Sequence, residues 1–183
     1  FPDEDIRYVK NLGGGFLNDC GCYPICASRM IFDAEPIGVS CNLSVDPKTG
    51  VDVRGTSYMT FDGEKTASIT YGTGNYYQAQ YEVWGSNGII SLERAYSIPP
   101  DLKAKMKIQY STQHDWDSRK NETLEVNTND HFLEMINAFC LEIQGKKKIA
   151  YDIEKDLIDQ ARVMEAHRIS SEEKRFIPLD EIM

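Results

Sequence analysis

The stretch Val39-Ser40-Cys41-Asn42-Leu43-Ser44-Val45-Asp46-Pro47-Lys48-Thr49-Gly50-Val51-Asp52-Val53 holds the pattern on which the fold turns. Val39, Cys41, Leu43 and Val45 alternate with polar neighbours, the period of a strand with two unlike faces. Pro47-Lys48-Thr49-Gly50 then supplies a turn. Val51, Val53, Ser57, Met59 and Phe61 continue the alternation to a second turn at Asp62-Gly63, and Ala67, Ile69 and Tyr71 begin a third strand. Further strands are predicted over residues 76–84 and 89–95, on either side of Ser86-Asn87-Gly88. Pro99-Pro100 interrupts the sheet, and residues 103–110 resume it with Ala104, Met106, Ile108 and Tyr110 on one face. Connections this short join antiparallel neighbours, because a parallel pair needs a crossover of about a dozen residues.

Helices flank this region. Gly13-Gly14-Gly15 opens a helical stretch from Phe16 to about Phe32, in which Phe16, Leu17, Cys20, Ile25, Met30 and Ile31 outnumber the charges. Pro24 lies inside it and removes a backbone donor, so the helix kinks there or is shorter than its apolar pattern. Thr128 or Asn129 is placed to cap a second helix, whose Phe132, Met135, Ile136, Phe139, Cys140 and Ile143 predict one buried face, with Gly145 ending it. A third helix over residues 152–169 is expected to bury Ile153, Leu157, Ala161 and Met164, with residues 170–175 leading to an extended tail. Helix, many strands, two helices predicts an α+β domain: one open, mainly antiparallel sheet with its helices on one face. Apolar and aromatic residues occupy both alternating sets (Tyr58 beside Met59, Tyr76 beside Tyr77). The far face therefore either pairs with another subunit or stays half-solvated.

A chain of 183 residues with 41% apolar and 27% charged residues fits a single globular domain over 1–183. No apolar run approaches the ~20 residues of a membrane span. Phe1-Pro2-Asp3-Glu4-Asp5 carries no export signal, and five cysteines make an odd count, so a cytoplasmic setting is expected. A net charge of -9 argues against nucleic acid and anionic membranes as partners, with Lys146-Lys147-Lys148 the one dense basic run. Cys20, Cys22 and Cys26 lack the spacing of a zinc site and read as small apolar helix residues, so no metal is expected.

The triple glycine invites a dinucleotide-binding reading, which the spacing refuses. A GxGxxG from Gly13 needs glycine where Asn18 stands, and no apolar strand precedes it; Gly72-Thr73-Gly74 fails similarly, with Tyr77 in the last slot. The continuation Leu12-Gly13-Gly14-Gly15-Phe16-Leu17-Asn18-Asp19-Cys20-Gly21-Cys22-Tyr23-Pro24 is more informative. Asp19 and Tyr23 stand four apart, on one face of a helix, and the glycines leave room for a ligand or a neighbouring backbone. A carboxylate beside a phenol forms an acid–base pair: Asp19 accepts a hydrogen bond from a substrate hydroxyl and Tyr23 passes the proton that accompanies hydride transfer. The structural alternatives are an aspartate serving the helix start and a tyrosine packed in a core. Arg7 and Asn11, just upstream, are candidates for substrate hydroxyls or for plain solvation. His114, His131 and His167 lie apart from the segment and carry no catalytic expectation. Tyr71, Tyr76, Tyr77, Tyr81 and Trp84 could stack on a sugar ring or pack within the sheet.

Gly13, Gly14, Gly15, Leu17, Asp19, Gly21 and Tyr23 resemble the GGGxLxDxGxH/Y signature of the glucose-fructose oxidoreductase and inositol dehydrogenase (Gfo/Idh/MocA) family. Tyr81-Glu82-Val83-Trp84-Gly85-Ser86-Asn87-Gly88, the helix at Phe132 to Phe139, and Gln160-Ala161-Arg162-Val163-Met164-Glu165-Ala166 are similar to later parts of that family's C-terminal domain. The resemblance implies a substrate-binding and oligomerisation domain whose partner, an N-terminal Rossmann domain absent from this chain, binds NAD or NADP. It also implies a sugar-like substrate, and a homodimer or tetramer built through the open sheet face. Carried over, Asp19 orients substrate and Tyr23 is the general acid or base. Many members have histidine there, and tyrosine is similar to the subset with sugar ketoreductases, xylose dehydrogenase and dihydrodiol dehydrogenase. A free phenol, pKa ~10, needs nearby positive charge to titrate at neutral pH. In the family a Glu-Lys-Pro lysine of the first domain supplies it, and this chain has no such motif. The isolated chain is therefore expected to be inactive. The rival expectations are a non-catalytic binding or regulatory relative, and a sheet dimerisation module without ligand.

Overall fold

The computed structural model describes residues 4–111, 117–149 and 151–182; His114 lies outside them. In chain order a π-helical segment, Leu17–Gly21, runs into α1 (Cys22–Phe32). Strands β1 (Gly38–Val45), β2 (Asp52–Thr60), β3 (Thr66–Gly72), β4 (Tyr81–Gly85), β5 (Gly88–Leu92), β6 (Lys105–Tyr110) and β7 (Lys120–Glu125) follow. Helices α2 (His131–Ile143) and α3 (Ile153–Glu173) and the two-residue strand β8 (Ile177–Pro178) complete the regular elements, with short 3-10 turns near both ends. The chain divides into two compact units, one of Phe1–Asn75 with Tyr151–Met183, the other of Tyr76–Ala150.

The α+β class is as the sequence predicts, but the single open sheet is not. Hydrogen bonding makes two four-stranded sheets, β3-β2-β1-β8 and β4-β5-β6-β7, antiparallel throughout. The strand expected from residue 76 begins only at Tyr81, after an irregular stretch that opens with Thr73-Gly74, and β3 and β4 lie in different sheets.

In the first unit the register aligns Val39, Met59 and Ala67 in one row and Cys41, Ser57 and Ile69 in the next. That face packs with Leu17 and Ile25 from the first helix and Val163 and Ala166 from α3, all buried. Each fully buried aliphatic side chain of this kind contributes about 1.5–3 kcal/mol. The alternating set of β1 leaves the core towards its end: Val39 is wholly buried, Cys41 and Leu43 partly, and Val45 is 56% exposed beyond a bulge at Ser44. Because β8 pairs only with Gly38 and Val39, the rest of β1 is an edge. The Cys41 and Leu43 N–H groups instead donate to Ser170 Oγ (2.8 Å) and Ser171 Oγ (2.9 Å) of α3. Side-chain hydroxyls thus replace a missing strand.

The α3 expectation is corrected accordingly. The helix continues to Glu173, through residues read as a leader to the tail, and closes on Lys174 at φ 56°. Leu157 and Ala161 are exposed, and Asp159, Val163, Ala166, His167, Ser170 and Ser171 are the buried residues. Polar groups hold the core-facing stripe because they have partners there, which apolar periodicity does not reveal. Among them His167 lies between the Val163 carbonyl (2.7 Å) and Ser57 Oγ (3.0 Å).

The first predicted helix is split at Cys22. Pro24 becomes the third residue of α1, where its missing N–H falls in a first turn already opened by the wider π winding.

In the second unit Tyr81, Val83, Leu92, Met106 and Ile108 share one half-buried face of the sheet. Strand β7 is exposed along its whole length and has no apolar alternation to announce it. Asp130 caps α2, rather than Thr128 or Asn129, accepting from the N–H groups of Phe132 and Leu133. Gly145 closes the helix at φ 66°. Its predicted apolar stripe forms but is not buried: Phe132, Met135, Ile136, Phe139 and Ile143 are all more than half exposed, and Cys140 is exposed too. Spacing specifies a stripe and leaves its cover undetermined. No helix among the described residues is long and apolar enough to cross a membrane.

Candidate functional site

The signature segment is built from three glycines with three different reasons to be glycine. Gly13 is left-handed at φ 78°. At Gly14 a Cβ would lie within 3 Å of the carbonyl oxygens of Ile6, Arg7 and Val9. Gly15 adopts φ 120°, and a Cβ there would strike the Asp52 carboxylate at 2.2 Å. The room left by the glycines is thus filled by the chain itself, with the turn at Ile6–Tyr8 on one side and Asp52 on the other.

Asp52 Oδ2 accepts from the Leu17 N–H at 2.6 Å, satisfying a donor at the start of the π-helical turn. Burial pushes the Asp52 carboxyl above the usual carboxylate range, against the lowering effect of that hydrogen bond. Asn18 ties the same turn down from outside: its amide donates to Gly13 O (2.8 Å) and its Oδ1 accepts from Arg168 (2.6 Å). Beneath it, Gly21 admits the Tyr71 ring, which also covers Gly55. Tyr71 is buried, its hydroxyl has no hydrogen-bond partner among the described residues, and its phenol is pushed up by burial.

On this platform Asp19 stands on the π turn and Tyr23 on the first turn of α1. Neither is sealed: the Asp19 side chain is 27% exposed and Tyr23 is 46% exposed. Arg7 reaches Asp19, donating from Nε to Oδ1 at 2.7 Å, and its Nη1 lies 3.0 Å from Asp5 Oδ1. Asn11 sits exposed on the 3-10 turn Lys10–Leu12. The structure therefore brings Arg7 to the pair, in contact with Asp19.

Three features escape sequence reasoning. Asp52 is 35 residues from Leu17 and has no local signal. Arg29, buried, makes a two-pronged ion pair with Glu35 (2.7 Å each) and meets Asp156 Oδ1 at 2.9 Å and Gln160 Oε1 at 2.8 Å. Gln160 Nε2 in turn donates to the Cys22 carbonyl at 3.1 Å, anchoring the backbone next to Tyr23. The sequence shows the polar character of these residues but not the partners they meet.

Burial raises the thiols of Cys20, to about 11, and Cys41, to about 12, and it raises Cys22 and Cys26 as well. Cys20, Cys22 and Cys41 are partly buried, and Cys26 is exposed on α1. Among the described residues no three His, Cys, Asp or Glu side chains gather as a metal site. His131 is exposed at the start of α2. The aromatic set divides: Tyr71 is core, Tyr81 packs on Tyr96 at 6.0 Å, Arg94 lies over the Tyr77 ring, and Tyr76 and Trp84 face solvent. A groove of about 320 Å³ lies on the second unit's sheet, over Glu82, Ser91, Lys107, Gln109 and Asn121, and none of the signature residues lines it. Its polar groups bond one another, Ser91 to Glu82 and Gln109 to Asn121 at 2.9 Å each, as on any solvated sheet face.

An ionised carboxylate has about four lone-pair directions, so Asp19, holding Arg7, keeps capacity to accept from a hydroxyl. The Tyr23 phenol both donates and accepts. Two antiparallel sheets and their helices thus form an α+β domain in which a glycine-supported turn leaves an aspartate and a tyrosine open to solvent. The GFO/IDH/MocA C-terminal domain profile matches residues 1–91. The dTDP-3,4-didehydro-2,6-dideoxy-alpha-D-glucose 3-reductase of Saccharopolyspora spinosa is 30% identical over 172 residues, which are 90% of this chain and 49% of that protein. The crystal structure of KijD10, a 3-ketoreductase from Actinomadura kijaniata in complex with NADP and TDP-benzene, superposes with a TM-score of 0.83 at 27% identity, covering 93% of this chain and 50% of that one. The D-xylose 1-dehydrogenase (NADP(+)) 2 of Haloferax volcanii is 28% identical over 107 residues, 57% of this chain and 33% of that protein. The chain belongs to the GFO/IDH/MocA family, and it spans about half the length of the two reductases it matches.

Proposed function

We propose that this chain is the substrate-binding half of an NAD(P)-dependent oxidoreductase acting at a hydroxyl or carbonyl carbon of a sugar-like substrate. Its relatives among the dTDP-sugar 3-reductases make a nucleotide-linked ketosugar the substrate class to try first. The observation that carries the reading is the accessible Asp19–Tyr23 pair, with Asp19 held by Arg7. Asp19 accepts a hydrogen bond from a substrate hydroxyl and orients the ring; Tyr23 gives or takes the proton at the oxygen of the reacting carbon.

The residues present do not fit the dinucleotide itself. A dinucleotide site is built on parallel βαβ units, and the one parallel pairing among the described residues is the isolated bridge Ala79–Arg94. Binding of NAD or NADP falls to a separate Rossmann domain of the parent protein, and the chain alone is expected to have no turnover. The exposed apolar sheet and helix surfaces support assembly of the parent as a homodimer or tetramer.

The test is an assay of the full-length protein with NADPH and a panel of dTDP-ketosugars and free sugars. Tyr23→Phe should lower kcat about 10²–10⁴-fold, the usual worth of a positioned acid or base. Unchanged turnover in that variant would remove Tyr23 from the mechanism.

A further inference from the structure

We propose that Arg7 is a positioning residue: it aims the Asp19 carboxylate and does not itself bind substrate. The inference rests on the function proposed above and deepens it.

Three observations carry it. The first is how Arg7 is fixed. Asp5 caps the 3-10 turn by accepting from the Arg7 N–H at 2.9 Å, and the same carboxylate meets Arg7 Nη1 at 3.0 and 3.2 Å. Backbone and guanidinium are thus held by one group. The second is how the turn reaches the signature. Gly14 lies among the carbonyls of Ile6, Arg7 and Val9, and the Gly15 N–H donates to Arg7 O at 2.8 Å. Any side chain at Gly14 would push the Arg7 turn away, so one role of the triple glycine is to seat Arg7 beside Asp19. The third is which atoms are used. Nε donates to one oxygen of the Asp19 carboxylate, Oδ1, at 2.7 Å, while Nη1 is engaged by Asp5. A side-on contact of this kind sets the rotation of the carboxylate and leaves Oδ2 for a hydroxyl.

With side chains about a third exposed, the ion pair adds little to stability, so its consequence is geometric. A displacement of about 1 Å in a positioned group costs up to about 10²-fold in rate. Arg7→Ala in the full-length protein should therefore lower kcat/KM about 10–100-fold while the thermal midpoint stays near that of the parent. Arg7→Lys, which keeps the charge but not the fork, should recover only part of the loss. The deciding measurement is a double-mutant cycle with Asp19→Asn: if Arg7 acts through Asp19, adding Arg7→Ala to Asp19→Asn costs nothing further. Additive losses would mean that Arg7 meets substrate directly, and would overturn the proposal. So would an Arg7→Ala enzyme with normal kinetics. Should Arg7→Ala fail to fold, Asp5→Asn replaces it: it loosens the anchor and should give a smaller loss, again absent in the Asp19→Asn background. The two readings fail separately. Normal turnover in Tyr23→Phe defeats the proposed function, whereas an inactive Tyr23→Phe beside an unaffected Arg7→Ala defeats only the positioning role.

Discussion

His167 shows how a polar residue becomes core. It is wholly buried, Nδ1 faces the Val163 carbonyl, and Nε2 faces Ser57 Oγ. The neutral ring with its proton on Nδ1 satisfies both, donating to the carbonyl and accepting from the hydroxyl. Burial holds its pKa down at about 4, from an ordinary value of 6.5. The unfolded chain therefore binds a proton between those values that the folded chain refuses. Its contribution is fully present above about pH 6.5, is lost as pH falls towards 4, and totals about 3 kcal/mol. Urea midpoints measured from pH 7 to 4 should fall accordingly, and the His167 ring resonances should remain those of neutral imidazole at pH 5; a ring titrating near 6.5 in the folded protein would refute this. At the same scale, the Gly13–Tyr23 segment shows what was legible. Asp19 and Tyr23 were singled out by their spacing together with the resemblance to a family signature, whereas Asp52 and the Asp19 contact of Arg7 were not, because their partners are set by how three separate segments meet.

At the scale of elements, the hairpins β1–β2 and β2–β3 follow from alternation and turn residues, which act over a few neighbouring positions. The seam between β1 and α3 does not, since Ser170 and Ser171 lie 129 and 128 residues from the amides they accept from. Ser170 also donates to the Arg175 carbonyl at 2.7 Å, so one buried hydroxyl satisfies two backbone groups. Ser170→Ala removes both hydrogen bonds and should cost about 1–3 kcal/mol, at about 0.5–1.5 for each bond lost. Denaturant unfolding of the variant checks the size, and faster hydrogen exchange at the Cys41 amide checks the cause. The α2 stripe makes the opposite point, its spacing giving the helix and its apolar face but not burial.

Across the whole molecule the two units differ in how much they bury. Every described residue that is fully withdrawn from solvent lies in the first unit, and none lies in β4–β7 or α2. Stability follows burial, so local opening should need less free energy in the second unit. In the isolated chain, native-state hydrogen exchange should show amides of β5 and β6 exchanging well before those of β1, β2 and α3, and limited proteolysis should cut first between residues 76 and 150. Equal protection in both sheets would show that the second unit draws stability from a source other than its own core.

The amino-acid sequence by itself determined what depends on near neighbours: antiparallel strands from period-two alternation, turns from proline and glycine, three helices, and an Asp19–Tyr23 pair on a glycine-supported segment. Tertiary structure alone decided which sheet each strand joins, that the triple glycine admits Asp52 and the Arg7 turn, that hydroxyls of α3 close the edge of β1, and that the α2 stripe stays exposed. The physical reason is range. Backbone preference and side-chain period are properties of a few consecutive residues, whereas a buried hydrogen bond or a Cβ-sized gap exists only after distant segments have packed, and a sequence pattern records the groups available without recording which of them will meet.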